Sequence, residues 1–281
     1  MATNEKVRLN RLFAPSGRCL NVAIDHGVFN EPSFLEGLEK LGEVVRQLVT
    51  AGPDAIQMNY GQAGLLQQIA GPGKPALVLR ADCGNPYNTP RADCIFDVLA
   101  HHPDPVLPAV QMDAACVVVN LLLLPGEAGL HRQTIENIAR IRPFCDQYRM
   151  PLMVEPLVMK VTPKSGFAVD GSPGLLVPLV RQARELGADL IKADPTDRAE
   201  DYHRVVEAAG CPVLVRGGGK EPVEKVFEKA HALLEQGAKG LVYGRNIYQH
   251  PNPAKIVRAL RGVIHDGWTP EQALATYRSS G

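Results

Sequence analysis

Short apolar runs recur along the chain, and each precedes polar loop residues and then a longer amphipathic stretch. Several runs are almost continuously hydrophobic and rich in β-branched residues, which is typical of parallel strands buried on both faces. The pattern predicts eight strands, at residues 20–24, 54–58, 76–80, 115–122, 152–157, 189–193, 213–216 and 240–243.

Stretches with helical periodicity lie between these strands, and the clearest are at 35–51, 133–148, 175–186 and 223–236. Three of them lead into the next strand through a glycine, which tolerates the positive φ common at helix C-termini. Strand and helix alternating to a count of eight predict a single-domain (β/α)8 TIM barrel over 1–281, with 1–18 as an N-terminal extension. An open doubly wound sheet is the alternative, although no glycine fingerprint follows the first strand. Residues 161–173 are predicted to form a flexible loop.

Composition narrows the classes of function. The 281 residues are 45% hydrophobic, and 30 basic side chains balance 30 acidic ones, so no long-range positive field attracts nucleic acid or an anionic membrane. The six cysteines form no C-x-x-C pair and have no nearby histidine pattern, which argues against a zinc site and a disulfide framework. With no signal-like or membrane-spanning segment, the sequence predicts a soluble cytoplasmic protein.

Lys192 is the residue with the clearest chemical implication. It stands among apolar residues in the sixth predicted strand. Burial disfavours the ammonium form and lowers the lysine pKa, and a free amine near neutral pH is what Schiff-base chemistry on a carbonyl needs. A surface lysine on a sheet edge is the alternative when this residue is taken alone.

Carboxylates end two other strands, where a barrel places its catalytic groups. Glu155 lies in the apolar fifth strand, and burial is expected to raise its pKa toward neutrality and suit it to proton transfer. A structural glutamate paired with a buried cation is the alternative. Asp25 follows the first strand and is a candidate acid/base group or hydroxyl ligand, or else a turn-forming aspartate.

Glycine-rich loops follow the seventh and eighth strands, and each carries a cation. Backbone N–H groups and a helix N-terminus in such loops can bind an anion, and loops at these two positions form a recurrent phosphate site in barrels. Their candidate phosphate ligands are Arg216, Gly217, Gly218, Gly219, Gly244 and Arg245. His26, Arg80 and Asn120 are further candidate substrate ligands, and strand parity allows Arg80 to pair with Asp82. No cluster of His, Asp or Glu with metal-ligand spacing is evident.

Four motifs resemble the archaeal-type class I fructose-bisphosphate aldolases, over roughly residues 19–275. They are Asp25-His26-Gly27, Ile191-Lys192, Gly217-Gly218-Gly219-Lys220 and the G-R-N-I-Y-Q-H-P block at 244–251. Aminodideoxyheptulosonate synthases and the autoinducer-2 aldolase/thiolase are relatives of that family. The resemblance implies a barrel, Lys192 as nucleophile, Asp25 as an active-site acid, a phosphate grip by Gly217, Gly218, Gly244 and Arg245, no metal or other cofactor, and often decameric homo-oligomers.

The chain departs from that pattern on the fifth strand, where the aldolase branch has a catalytic tyrosine and this sequence has Glu155. A glutamate there resembles the tagatose-bisphosphate aldolase branch, near which the sulfofructose-phosphate aldolases belong. Arg80 and Arg216 are also unusual for the family, and we expect them to recognise a second anionic group. The sequence thus predicts a class I aldolase for a phosphorylated ketose or related sugar phosphate. The alternatives are a thiolase-like acyl transferase that uses the same lysine and a non-catalytic sugar-phosphate sensor.

Overall fold

Eight parallel strands close into a barrel in the computed structural model, which describes residues 7–71, 73–87, 95–101, 103–162 and 167–279. In chain order the strands are β1 (Cys19–Ala23), β2 (Ala55–Asn59), β3 (Ala76–Arg80), β4 (Asp82–Gly84), β5 (Asp97–Leu99), β6 (Cys116–Leu123), β7 (Leu152–Val161), β8 (Phe167–Val169), β9 (Leu190–Ala193), β10 (Val213–Arg216) and β11 (Gly240–Tyr243). Around the barrel the order is β1, β2, β3, β6, β7, β9, β10 and β11, and β11 pairs with β1 to close it. The predicted (β/α)8 TIM barrel is confirmed, and the open sheet is excluded.

Helices pack around the barrel. They are α1 (Leu41–Ala51), α2 (Tyr60–Gln67), α3 (Leu107–Gln111), α4 (Ala128–Gln147), α5 (Pro173–Glu185), α6 (Tyr202–Ala209), α7 (Val223–Glu235), α8 (Arg245–Tyr248), α9 (Pro253–His265) and α10 (Pro270–Ser279). Short 3₁₀ turns cover Val7–Arg11, His26–Phe29, Pro32–Phe34 and Ala199–Asp201. No helix within the described ranges is long and apolar enough to cross a membrane.

Several predicted elements differ from the structure by one or two residues, the helix predicted at 133–148 begins five residues earlier at Ala128, and two further differences concern the first helix and the loop after the fifth strand. The first helix begins at Leu41 instead of residue 35, because Gly37 has a φ of +83° that a continuous helix does not allow. The loop predicted at 161–173 is wrong in part. Strand β7 continues to Val161, and β8 returns antiparallel to it with Val161 opposite Phe167. Residues 163–166 of that loop lie outside the described part of the chain.

Small and branched apolar side chains fill the barrel interior, which is closed at its lower end by the N-terminal segment. Leu12 is buried there with the inward residues of the strands, and Leu9 and Phe13 pack against the same cluster. A second, larger cluster lies between the strands and the helices. The N-terminal segment thus plugs the end of the barrel at which the strands begin, and the opposite end is left for polar residues.

Candidate active site

Polar side chains form a ring at the C-terminal end of the barrel. Each barrel strand contributes one buried apolar residue to the interior cluster, and the residue two positions later faces the same way. Seven of these later residues are polar, and the eighth is glycine: Asp25, Gln57, Arg80, Asn120, Glu155, Lys192, Arg216 and Gly244. The alternation of the strands therefore brings together the candidates that the sequence had placed on separate strands.

Lys192 and Glu155 are paired at the centre of this ring. The Lys192 Nζ atom lies 2.9 Å from Glu155 Oε2, and the two residues are 4% and 3% exposed. Burial lowers the pKa of Lys192 from its ordinary value, while the negative charges of Glu155 and Asp25 oppose that shift. The predicted direction of the lysine pKa shift is confirmed, and Lys192 is not on a sheet edge, because β9 lies between β7 and β10.

The predicted rise in the pKa of Glu155 is wrong. Burial does favour the protonated acid, but Lys192, Arg80 and Arg216 together outweigh it and lower the pKa to about 2. Arg80 Nη2 lies 2.5 Å from Oε2, and Arg216 Nε lies 3.0 Å from Oε1. Glu155 is therefore ionised at neutral pH, so it can accept a proton but does not hold one to donate.

Asp25 is a second buried carboxylate in the ring. It is 1% exposed, and its Oδ2 atom accepts hydrogen bonds from Gln57 Nε2 at 2.7 Å and Arg80 Nε at 2.5 Å. Burial alone would raise its pKa, but Arg80 and Lys192 hold the pKa well below its usual range. Asp25 is thus ionised as well and is positioned by two donors from neighbouring strands.

Arg80 joins three carboxylates and has almost no exposed surface. Besides Asp25 and Glu155 it donates from Nη1 to Asp82 Oδ1 at 2.7 Å, which confirms the predicted Arg80–Asp82 pair. Because three carboxylates surround the guanidinium and its Cζ atom lies over the Phe29 ring, 5.3 Å from the centroid, it has no face open to a ligand. We therefore correct its predicted role from an anion ligand to a residue that positions the two site carboxylates.

Asn120 also lies behind the wall of the site. Its Nδ2 donates to Asp97 Oδ2 at 2.7 Å, and its backbone N–H donates to Asp82 Oδ2 at 2.6 Å. Burial and the neighbouring Asp82 raise the pKa of Asp97 well above its usual range, which favours the protonated acid at this position. The Nδ2 atom of Asn120 is thus used within this buried cluster, whereas its Oδ1 atom is buried with no hydrogen-bond partner among the described residues, so the predicted role of Asn120 as a substrate ligand stays a prediction.

Arg216 connects the lysine site to a cleft above it. Its Nη1 donates to Asp194 Oδ1 at 2.9 Å, and its Nη2 donates to the Tyr87 hydroxyl at 2.8 Å. Burial opposes its charge, but Asp194, Tyr87 and Glu155 raise its pKa, so the guanidinium stays cationic. Unlike Arg80, its side chain is 11% exposed and lines the open space.

The two glycine loops lie together, as predicted. Gly218 has a φ of +63°, and a Cβ on Gly217 would lie 2.6 Å from Tyr243 Cδ1, so both positions require glycine. Asn246 Nδ2 donates to the carbonyls of Gly217 and Gly219, which fixes the loop. Helix α8 has only four residues, so the expected helix dipole is weak, and the positive charge comes from arginine side chains.

Arg245 borders this loop with part of its guanidinium uncommitted. Nη2 donates to Gly218 O at 2.9 Å, and the group stacks on Phe34 with 4.7 Å between Cζ and the ring centroid. Its Nε atom is buried with no hydrogen-bond partner among the described residues. Burial and the positive charge of Arg216 disfavour the charged guanidinium and lower its pKa, so an anion bound here would compensate both positive charges.

His26 lies against the eighth-strand loop as a neutral ring. Burial lowers its pKa to about 3 despite the nearby Asp25. It packs edge-on against Phe34 and Tyr248, at centroid distances of 5.4 and 5.2 Å. A Cβ on Gly244 would lie 2.6 Å from His26 Cε1, so Gly244 is required for the ring to fit. His26 thus lines the site as a neutral polar group.

The open space has two parts. An outer cleft of about 520 Å³ is lined on one side by cations and glycines and on the other by apolar residues of the β7–β8 hairpin. Beneath it is an inner chamber of about 20 Å³, enough for about one water molecule, which contains Lys192, Glu155 and Asp25. Four residues border both: Tyr87, Arg216, Gly218 and Arg245.

No group of three His, Cys, Asp or Glu side chains with metal-binding geometry occurs within the described ranges. The five cysteines of those ranges form no disulfide with one another, and Cys94 lies outside them.

Sequence reasoning missed Tyr87, Asp97 and Asp194 as members of the site. Asp194 has a signal, because it is two residues after Lys192 and a strand period of two places both on one face. Tyr87 and Asp97 have none, since Tyr87 follows the short strand β4 and Asp97 begins the short strand β5, and both reach the site only through the tertiary fold.

Comparison with known proteins agrees with this geometry. The profile of the DeoC/LacD family aldolases matches residues 19–250. An uncharacterized aldolase of Saccharolobus solfataricus is 33% identical over 96% of this chain and 97% of its own. The 3-hydroxy-5-phosphonooxypentane-2,4-dione thiolase of Escherichia coli is 28% identical over 97% of this chain and 86% of its own.

Solved structures agree as well. An archaeal fructose 1,6-bisphosphate aldolase has a TM-score of 0.72 and 27% identity, and the match covers 93% of this chain and 99% of that one. Another archaeal fructose-1,6-bisphosphate aldolase, described with its catalytic lysine covalently bound to a carbinolamine intermediate, has a TM-score of 0.73 and 26% identity over 92% of this chain and 99% of its own. The family match spans most of the chain and includes every residue of the polar ring. The chain therefore belongs to the DeoC/LacD family of aldolases.

Proposed function

We propose that the protein is a class I aldolase that forms a Schiff base at Lys192 and cleaves or makes a C–C bond in a phosphorylated ketose or related sugar phosphate. The observation that carries this proposal is the buried Lys192–Glu155 pair at 2.9 Å, beneath a cleft that ends in two glycine loops with arginines. The carbinolamine-forming lysine of an archaeal relative supports the same chemistry.

In the cleavage direction, the free amine of Lys192 attacks the ketose carbonyl, and loss of water gives a cationic iminium. Glu155 accepts the proton of the C4 hydroxyl as the C3–C4 bond breaks. The electron pair of that bond moves into the iminium, which leaves a neutral enamine and releases an aldehyde. Protonation of the enamine carbon and hydrolysis then free the second product and restore the amine.

The charge on the lysine nitrogen controls the strength of Glu155 as a base. Among the neighbouring charges, Lys192 is the largest contributor to the low pKa of Glu155. When the cationic iminium becomes a neutral enamine, that contribution disappears and the carboxylate holds its new proton more firmly. Proton transfer to Glu155 and C–C cleavage therefore favour each other, and Glu155 afterwards holds the proton that the enamine carbon needs.

The glycine loops would hold the substrate phosphate. Arg245 has an unpartnered buried Nε atom, and Gly218 and Gly219 border the cleft with open space above them. Such a grip fixes the carbonyl over Lys192, and orientation of this kind contributes several kcal/mol in well-held systems.

The thiolase alternative stays open because the Escherichia coli thiolase matches most of this chain. That enzyme's name gives it a phosphorylated dione as substrate, which the same lysine and phosphate loops could bind. A requirement for coenzyme A separates the two activities, since an aldolase releases an aldehyde without an acyl acceptor.

The test is a cleavage screen with fructose 1,6-bisphosphate, tagatose 1,6-bisphosphate and sulfofructose 1-phosphate, each with and without coenzyme A. We expect at least one ketose phosphate to release a triose product without coenzyme A, and Lys192→Ala to abolish the release while the protein stays folded. Cleavage of 3-hydroxy-5-phosphonooxypentane-2,4-dione that requires coenzyme A and yields an acyl-coenzyme A, with no release from the ketose phosphates, would support the thiolase. Full activity of Lys192→Ala would overturn the mechanism, and binding without turnover by the parent protein would support a sensor.

We further propose that no metal or other cofactor takes part and that the protein is cytoplasmic. We also propose that it forms a homo-oligomer of up to ten subunits. Since Lys192 supplies the electron sink, activity should survive exhaustive chelation, whereas loss with rescue by zinc would contradict the class I mechanism. Light scattering of the purified protein measures the oligomer size, and a monomeric mass would contradict the homo-oligomer.

A further inference from the structure

Asp194 is a buried carboxyl group that the proposed mechanism does not use. It follows β9 two residues after Lys192, and it is 1% exposed. Lys192 lies opposite Leu214 on β10, so the same parity faces Asp194 toward Arg216, two residues after Leu214. The Asp194 side chain thus points to the same side of the barrel as the catalytic lysine and lines the outer cleft.

Only one oxygen of this carboxyl group has a structural task. Oδ1 accepts the hydrogen bond from Arg216 Nη1 at 2.9 Å. Oδ2 is buried and has no hydrogen-bond partner among the described residues. An unpaired buried carboxylate oxygen is unfavourable, and native proteins retain such atoms mostly where function needs them. Asp194 lines the outer cleft, so a ligand group that enters the cleft can supply the missing partner of this oxygen.

The surroundings of Oδ2 limit what that group can be. Arg216, Arg245 and Lys229 line the same cleft and repel a cationic ligand. An anionic group is attracted instead to the glycine loop and Arg245, away from a carboxyl oxygen. A neutral hydrogen-bond donor remains, and in a phosphorylated ketose that donor is a hydroxyl group.

We propose that Asp194 binds a substrate hydroxyl through Oδ2, on the carbon next to the one that forms the Schiff base with Lys192. This inference rests on the proposed function, because it places the ligand carbonyl at Lys192. It makes the site selective for hydroxylated ketone phosphates over otherwise identical ligands that lack this hydroxyl.

Hydrogen bonds connect Asp194 to the reacting groups. Arg216 donates to Asp194 from Nη1 and contacts Glu155 through Nε at 3.0 Å. Burial raises the pKa of Asp194, although Arg216 opposes the shift, whereas the pKa of Glu155 is lowered to about 2. Two carboxyl groups joined by one arginine thus differ in proton affinity, which fits separate roles in hydroxyl binding and proton removal.

The test compares two ligands that differ only in this hydroxyl, dihydroxyacetone phosphate and hydroxyacetone phosphate. The measured quantity is the ligand concentration that gives half-maximal trapping of the imine by borohydride. We expect Asp194→Ala to raise this concentration about 10- to 100-fold for dihydroxyacetone phosphate, as for loss of a hydrogen bond to a charged group. For hydroxyacetone phosphate, which lacks the hydroxyl, the change should stay within about threefold.

Tyr87→Phe is the matched control. It removes another partner of Arg216 while it leaves Asp194 in place, so it should affect both ligands by the same factor. If Asp194→Ala does not fold, Asp194→Asn keeps an acceptor for Arg216. It should still weaken the binding of dihydroxyacetone phosphate selectively, by about fivefold.

Equal losses for both ligands in the Asp194 variants would overturn the inference and leave the proposed function intact, since imines would still form. Failure of the parent protein to trap either ligand would overturn both.

Discussion

Replacement of Glu155 by glutamine tests whether Glu155 or another group, such as Asp25, is the base of this site. Gln keeps the shape of the side chain and one acceptor oxygen, but it removes the charge and the ability to take a proton. Glu155 has a pKa of about 2 and is ionised at neutral pH, with Lys192 Nζ 2.9 Å away. Loss of a general base typically slows a reaction by about 10²–10⁴-fold, or about 3–5 kcal/mol of activation free energy.

Imine formation should respond in a different way. The negative charge of Glu155 raises the pKa of Lys192, so its removal lowers that pKa and makes the free amine more available. We therefore expect Glu155→Gln to trap substrate with borohydride as well as the parent at neutral pH, and better at mildly acidic pH, while cleavage collapses. The effect of the substitution on stability can be measured separately by thermal unfolding. Removal of one partner from a buried ion pair lowers the free energy of unfolding by about 3–5 kcal/mol.

The assay is single-turnover triose release beside trapped-imine yield, both at saturating substrate. Cleavage by Glu155→Gln within a few-fold of the parent would refute the assignment, and Asp25 would then be the first candidate for the base. Loss of imine and cleavage together in a folded variant would show that Glu155 serves to position Lys192.

Three further outcomes are expected. In a binding titration, Arg245→Ala should weaken the binding of a phosphorylated ligand by about 1.5–3 kcal/mol and that of its unphosphorylated analogue far less. Equal losses of binding would mean that Arg245 only stacks on Phe34 and holds Gly218. Arg80→Met should lower the free energy of unfolding, measured in urea, by at least about 3 kcal/mol, because it leaves three buried carboxylates short of a cation. An unchanged urea midpoint of unfolding would contradict the structural importance of these three ion pairs. Below pH 6.5 the unfolded chain protonates His26, while the folded protein does so only near its pKa of about 3, so the free energy of unfolding should fall as the pH drops from 6.5 to 5. The His26→Gln variant should show a smaller fall, and an equal fall in both proteins would contradict a neutral His26 ring.

Strand periodicity made most of the barrel predictable. Three predicted strands, at 76–80, 213–216 and 240–243, match the structure to the residue, because each is an apolar run with a proline or glycine immediately before or after it. The alternation of inward and outward residues along the barrel strands also predicts the polar ring, since Glu155, Lys192 and Arg216 each stand two residues after an interior apolar residue.

The electrostatics of the site were less predictable. Sequence position indicated burial of Glu155 and therefore a raised pKa, but the sign depends on three cations from three other strands. The predicted anion-binding role of Arg80 fails for the same reason, because two of its three carboxylate partners, Asp25 and Glu155, reach it only once the barrel closes. A single strand shows whether a charge is buried; its neighbours in the fold determine whether the charge is compensated.

The most direct test of the central claim is identification of the residue that carries the trapped substrate. The parent protein is incubated with dihydroxyacetone phosphate and sodium borohydride, digested and sequenced by mass spectrometry. The account predicts one modified peptide, with the reduced ligand attached through a secondary amine at Lys192 and no label in Lys192→Ala. A label on another lysine, or an equal label in the Lys192→Ala variant, would contradict it.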